Sequence, residues 1–313
     1  MAKCLGIDIG HTVVRTVIPQ DPLLFLEEPA VVAVSLFDHQ VTACGNEAVR
    51  LSLRVPGSVR LVYPFSGETT PEPELAVAYF QYIVKALRMK GADLYLSLSG
   101  QQDPETEQVF ALAAQKAGFR DVSIVGAVYA AANGCGVSAV SESAVVNIGA
   151  SVTDMACFVH AKQNATRSNA YAGNALDRAL CSHVLKQYRY TVTPIEARRV
   201  KEAIGTLTPS GGKTESVAVM RPAMGLPKKL TLTEEEVSGC FEPIFDLLTD
   251  EILSMVRTLP VEPDKVILTG GGAKLAGLAN ALAPLLLLPV EVAKEPDKAV
   301  IRGLGYLLSQ KKR

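Results

Sequence analysis

Asp8 closes an apolar run, Leu5 to Ile9, and is followed by Gly10, His11, Thr12 and, on the next run, Arg15. A carboxylate at a strand end can hold a magnesium shell, because Mg²⁺ is commonly bound by one or two carboxylates with phosphates and water. A glycine turn can offer successive backbone N–H groups, here Gly10 to Thr12, to phosphate oxygens. An arginine returning on the second strand can meet a phosphate as a fork, and His11 in the turn can donate to one. The competing reading is a plain hairpin in which Asp8 caps its own turn and His11 is solvated.

Two further stretches carry related parts. In AVVNIGASVTDMACF, Ala144 to Phe158, the turn is Gly149, Ala150 and Ser151, and Asp154 is the carboxylate that remains, a second candidate metal partner beside Asp8. In TGGGAKLAGL, Thr269 to Leu278, the glycines 270, 271 and 272 follow an apolar run and precede Ala273, Lys274 and a predicted helix. Glycines there let the backbone approach a ligand, and a helix N-terminus favours an anion. A tight strand-to-helix turn explains the same residues.

These groups need elements to hold them. LGIDIGHTVVRTVI and AVVNIGASVTDMACFV each read as apolar strand, glycine turn and β-branched strand, so the chain looks internally duplicated, with one hairpin opening each half. Between and after them the periodicity predicts strands over 31–34, 40–43, 94–98, 122–125 and 266–268, and around Val217 and Leu230. It predicts helices over 71–90, 104–117, 174–188 and 194–204, and one starting after Thr233, with a break near Pro243. The run ALAPLLLLPVEV from Ala281, broken by Pro284 and Pro289, is too short to span a bilayer and reads as a helix end followed by a buried strand.

Composition narrows the classes. The 313 residues are 48% hydrophobic and 20% charged, enough for two domains with real cores. Lys plus Arg is 31 against 32 Asp plus Glu, so no basic excess points to nucleic acid. Six scattered cysteines without a CxxC pair, and four histidines without HxxxH spacing, argue against a zinc site or a disulfide framework and fit a reducing cytoplasm. No signal peptide is visible.

The order of these motifs resembles the actin, heat-shock chaperone and sugar-kinase superfamily, and within it the MreB-like bacterial actins. AYAGNALDRAL, ARRVKEAIG, GLPKKLTLTEEEV, VILTGGGAKLAGL and EPDKAVIRGLGYLL follow in family order. The resemblance implies an α/β, ribonuclease-H-like fold with a duplicated mixed sheet flanked by helices and a nucleotide cleft between the domains. It places domain I at 1–140 with a small insertion at about 30–70, and domain II at 141–313 with an insertion at about 190–232. It implies ATP and Mg²⁺ as cofactors, with Asp8, Gly10, His11, Thr12, Val13, Arg15, Gly149, Ala150, Ser151, Lys201 and 270–274 in contact with them. It implies filament formation in the cytoplasm, by the chain itself or with an active paralogue, at the inner membrane face with membrane-anchored morphogenesis proteins.

Departures from the family pattern bear on hydrolysis. Asn147 stands at a family Asp, Ala150 and Ser151 at family glycines, Val152 at a threonine, Val13 at an Asn and Arg198 at a Glu, while Lys201 matches. Gly126 and Ala127 stand where the family carries two Glu residues, so no side chain is left to orient water there. No catalytic residue is assigned, and weak or absent hydrolysis is expected. The alternatives are a non-hydrolysing regulator, a lone chaperone-like nucleotide-binding module, and a small-molecule kinase, for which no acidic residue stands at a matching place.

Overall fold

The apolar runs on either side of Gly10 pair as an antiparallel hairpin, β1 (Cys4–Ile9) and β2 (Val13–Val17), with Asp8 opposite Arg15. The structure, a computed structural model, describes residues 3–19, 25–65, 72–100, 104–137, 142–160, 162–222, 225–258 and 262–310. Two compact units divide the chain: Met1–Val137 with Lys298–Arg313, and Ser138–Asp297.

In the first unit the chain continues through β3 (Glu27–Pro29), β4 (Val32–Ser35), β5 (Val41–Cys44), α1 (Gly45–Arg54), β6 (Val59–Val62), α2 (Pro73–Leu87), β7 (Asp93–Leu98), α3 (Pro104–Ala117), β8 (Val122–Gly126) and α4 (Ala127–Gly134). The main sheet has the order β3-β2-β1-β7-β8, and β4, β5 and β6 form a separate small sheet covered by α1. The core gathers Leu5 and Ile7 of β1, Leu94 and Leu96 of β7, and Tyr79, Phe80 and Ile83 of α2, all fully or almost fully buried. Each inward strand position costs nothing to desolvate and gains about 1.5–3 kcal/mol on burial, which fixes the register of the hairpin.

In the second unit the elements are β9 (Ser143–Ile148), β10 (Thr153–Val159), β11 (Lys162–Asn169), α5 (Gly173–Tyr188), α6 (Pro194–Ile204), β12 (Thr214–Met220), β13 (Pro227–Thr233), α7 (Glu234–Arg257), β14 (Lys265–Thr269), α8 (Leu278–Leu286) and β15 (Val290–Val292). Its main sheet, β11-β10-β9-β14-β15, repeats the strand order and directions of the first: an antiparallel three-strand meander followed by two parallel strands. The duplication read from two hairpins therefore extends to whole sheets. Thr233 and Glu236 form a reciprocal capping box at the start of α7, as the sequence predicts.

Several expectations need correction. Pro243 does not break α7; the helix runs through it, held by buried Phe241, Leu248 and Ile252 on either side, so one missing backbone bond is outweighed by packing. The strand after Pro289 is not buried: β15 is an edge strand with Glu291 and Val292 exposed. The last helix, α9 (Ala299–Gln310), belongs with the first unit rather than with the half of the sequence that precedes it. Its reason is steric fit. Gly134 of α4 and Gly303 of α9 let the two helices touch backbone to backbone, and a β-carbon on Gly303 would lie 1.7 Å from the carbonyl oxygen of Ala130. The expected boundary at residue 140 lies outside the described residues.

Candidate functional site

Each hairpin turn closes with the same bond. Gly10 N–H donates to Val13 O at 3.1 Å, and Gly149 N–H donates to Val152 O at 2.9 Å. A β-carbon on either glycine would lie 2.6 Å or 2.8 Å from that acceptor, so both turns demand glycine at this place. The first glycine N–H of each turn is thus committed within the turn. Among the described residues, the N–H groups of Thr12, Ala150 and Ser151 take no backbone partner, and successive amides of this kind form an anion-binding concavity.

Asp8 is 7% exposed and sits in register with Arg15 on one side and Ser97 on the other. Burial pushes its carboxyl up to about 6, against the opposing pull of the Arg15 charge. The buried Ser97 hydroxyl has no hydrogen-bond partner among the described residues. A desolvated carboxylate beside an unsatisfied hydroxyl is an arrangement that a hydrated cation completes, so the residues fit a metal. The Arg15 guanidinium is turned toward Glu27 of β3 at 3.0 Å. No cluster of three or more His, Cys, Asp or Glu occurs among the described residues.

The second turn is docked onto a helix. Gly173 and Asn174, in the first turn of α5, donate their N–H groups to the carbonyls of Gly149 at 3.1 Å and Ala150 at 2.6 Å. No side chain caps α5, so the turn itself satisfies these otherwise orphaned donors. Asn174 also donates from its amide to Ser151 Oγ at 2.9 Å and accepts from Arg198 at 2.8 Å. One helical turn on, Asp177 is 2% exposed and takes both Arg198 at 3.1 Å and Lys201 at 2.5 Å. Lys201 further donates to Gly173 O at 2.9 Å. Asp154 lies opposite Asn147 and accepts from Ser168 at 2.6 Å.

The glycine run resolves into different roles. Gly270 has φ +82°, and a β-carbon there would lie 2.3 Å from Ile148 O; one on Gly272 would lie 2.3 Å from the Ile148 side chain. Both serve the close approach of the turn after β14 to Ile148 at the end of the neighbouring strand β9, while Gly271 faces open space. Thr269, in register with Asn147 on β9, ties the two strand ends by donating to Asn147 Oδ1 at 3.1 Å. Contrary to expectation, no α-helix opens directly on the glycines. A single 3-10 turn, Gly271–Lys274, intervenes, and Lys274 pairs with Asp297 at 2.8 Å. Two groups of sequence-predicted candidates in the second unit, Lys201 and Ala150–Ser151, are brought into one network through Asn174, Arg198 and Asp177.

Ser97, Asn174 and Asp177 escaped the sequence reading. Asp177 carried a signal, for it shares the face of α5 that buries Leu180 and Val184, and a lone carboxylate on an apolar face calls for cations nearby. Gly126 is the residue before α4 and is exposed, with room around its α-carbon; Ala127 beside it is buried.

Comparison with known proteins agrees with this construction. A family model described as MreB/Mbl protein matches residues 2–313. The cell shape-determining protein Mbl of Bacillus subtilis (strain 168) is 27% identical over 320 residues, covering 98% of this chain and 96% of the relative. A crystal structure of MreB5 of Spiroplasma citri bound to ADP superposes with a TM-score of 0.91 at 20% identity, covering 100% of this chain and 98% of that one. A MamK double helical filament superposes with a TM-score of 0.82 at 18% identity over 98% of each chain. The duplicated sheets, the paired glycine turns and the end-to-end match together make this chain a member of the MreB/Mbl family, with an actin-like fold.

Proposed function

We propose that the chain is a nucleotide-binding, filament-forming cytoskeletal protein of the cytoplasm that takes part in setting cell shape, and that it hydrolyses ATP weakly or not at all. The observation that carries the nucleotide reading is the glycine turn built twice with the same closing bond, each turn followed by amides without backbone partners. Filament formation is supported by membership of a family whose relatives include a cell shape-determining protein and, in fold, a double helical filament.

In this reading the turn of each unit offers backbone N–H groups suited to phosphate oxygens, Thr12 in the first and Ala150 with Ser151 in the second. Asp8, with Ser97 beside it, would hold the water shell of Mg²⁺, and the ion would supply neutralisation of phosphate charge. A divalent cation there would favour the ionised form of the buried Asp8 carboxyl by offsetting its desolvation. Asp177 holds Lys201 and Arg198 on the nucleoside side, and the Arg198 charge makes that side more cationic than a Glu at the same place would.

Hydrolysis lacks its proton acceptor. Gly126 has no side chain and Ala127 offers only a buried methyl group, so no group at the start of α4 orients or deprotonates water. Asn147 is a neutral amide where the family resemblance implies an Asp, and its Oδ1 accepts from Thr269. A general base contributes roughly 10²- to 10⁴-fold, so turnover should fall at least about a hundredfold below a hydrolysing relative assayed alongside. The test is ATP–Mg²⁺ titration by calorimetry together with single-turnover phosphate release. Binding with release at the relative's rate would refute impaired hydrolysis, and absence of any nucleotide binding would refute the site. A second reading, a non-hydrolysing subunit that copolymerises with an active relative, draws on the same bare α4 terminus.

A further inference from the structure

Ser151, in the turn between β9 and β10, stands where the family resemblance implies glycine, and Arg198 of α6 stands where it implies a Glu. One side chain joins these two departures. Asn174, in the first turn of α5, accepts from Arg198 at 2.8 Å through Oδ1 and donates from Nδ2 to Ser151 Oγ at 2.9 Å. The polarity of this relay is forced from one end. A guanidinium offers only N–H donors, so the Asn174 oxygen must face it and the amide nitrogen must face Ser151. Arg198 is itself held by Asp177, which accepts from its Nε at 3.1 Å. Because the amide nitrogen is a donor only, the Ser151 hydroxyl accepts there and keeps its own proton to give. Among the described residues that hydroxyl makes no other hydrogen bond. It is half-buried and belongs to the turn whose amides at Ala150 and Ser151 take no backbone partner. The backbone keeps the relay in register, since the Asn174 N–H donates to Ala150 O at 2.6 Å.

We infer, on the nucleotide reading given above, that the Ser151 hydroxyl is a phosphate donor and that Asn174 and Arg198 are positioning residues that aim its proton. Hydrogen bonds in series polarise one another, so the guanidinium charge also strengthens the last donor. A Glu at 198 would be an acceptor only. It would draw the amide nitrogen of Asn174 to itself and present Oδ1 to residue 151, where a hydroxyl would then donate inward and meet phosphate with its lone pairs. Glycine at 151 has no hydroxyl to aim. Arg198 and Ser151 therefore belong together: the arginine sets the direction of the relay that makes the serine a donor.

The test is calorimetric titration of the full chain with ADP–Mg²⁺, for the parent, Ser151→Ala, Asn174→Asp and the double variant. One hydrogen bond to a charged acceptor corresponds to about a tenfold change in affinity, so Ser151→Ala should weaken ADP binding about tenfold. Asn174→Asp is isosteric and still accepts from Arg198, but its second oxygen takes the Ser151 proton. With the added negative charge it should weaken binding about a hundredfold. In the double variant only the charge effect adds to the lost hydroxyl, so the total loss should stay at about a hundredfold, against about a thousandfold for independent residues. If the pair merely braced the turn, the reversed hydrogen bond of Asn174→Asp would brace it too, and the two losses would multiply. Neither substitution adds bulk, and melting curves without nucleotide report that the variants fold. A loss shared by Asn174→Asp and the double variant supports the relay. Losses that multiply, or Ser151→Ala binding as the parent does, overturn it while ADP binding by the parent leaves the nucleotide reading standing. A parent that binds no ADP overturns both.

Discussion

Asp8→Asn should stabilise the nucleotide-free protein, and by an amount that depends on pH. The carboxyl is raised from 3.8 to about 6 by burial, with Arg15 offsetting only part of that cost. The folded chain therefore keeps a proton that the unfolded chain has lost. The penalty is absent below the unfolded value near 3.8, grows as pH rises to about 6, and is level above it. Integrating between those values gives about 1 kcal/mol at pH 4.5 and about 3 kcal/mol at pH 7.5, an upper figure because local relaxation reduces it. Asparagine is nearly isosteric and carries no charge to desolvate. At roughly 2–4 °C per kcal/mol, the variant should melt several degrees above the parent at pH 7.5 and only slightly above it at pH 4.5. Thermal melts followed by circular dichroism at the two pH values, in EDTA, measure this. A difference that does not change with pH, or a variant less stable than the parent at pH 7.5, would refute the account of Asp8. With ATP and Mg²⁺ added the order should reverse, since only the carboxylate profits from the cation.

Other outcomes follow from single contacts. Gly270→Ala should destabilise by more than 2 kcal/mol, through positive φ and a collision with Ile148 O, whereas Gly271→Ala should be nearly neutral; urea unfolding of the two separates the structural glycines from the open one. Asp177→Asn should cost about 3 kcal/mol, because it leaves Lys201 and Arg198 part-buried without their anion, and its effect should shrink in the double variant with Arg198→Ala. Gly303→Val should prevent α9 from packing on α4 and expose the last helix to limited proteolysis. Gly126→Glu should fold normally, having open space around it, while Ala127→Glu buries a carboxylate and should lower the melting temperature; phosphate release by the first reports whether a carboxylate at this end of α4 restores hydrolysis.

Much of the fold was legible because the signals were local. The two hairpins announce themselves by β-branched runs around a glycine, the capping box of α7 by Thr233 and Glu236, and α3 by Pro104 at one end and Gly118 at the other. The elements missed have weak local codes. β11 reads KQNATRSN, polar except for Ala165, and is a strand only because β10 offers it an open edge. β3 is three residues long, and α1 begins on a glycine whose approach to Glu28 no periodicity reveals. The placement of α9 was illegible because it depends on two glycines, Gly134 and Gly303, far apart in sequence. The turn residues could be named from the sequence, but the docking of the Gly149 turn on α5, and the sharing of Asp177 by Lys201 and Arg198, are tertiary facts. Nor could the sequence tell that two of the three glycines at 270–272 serve the close packing of the turn on Ile148.

The most direct test of the account is electron microscopy of the purified chain with ATP–Mg²⁺, with ADP–Mg²⁺ and without nucleotide. The account predicts filaments with ATP–Mg²⁺ that persist for hours, because bound ATP is not consumed, and none without nucleotide. Filaments that assemble equally in all three conditions, or none in any, would contradict it.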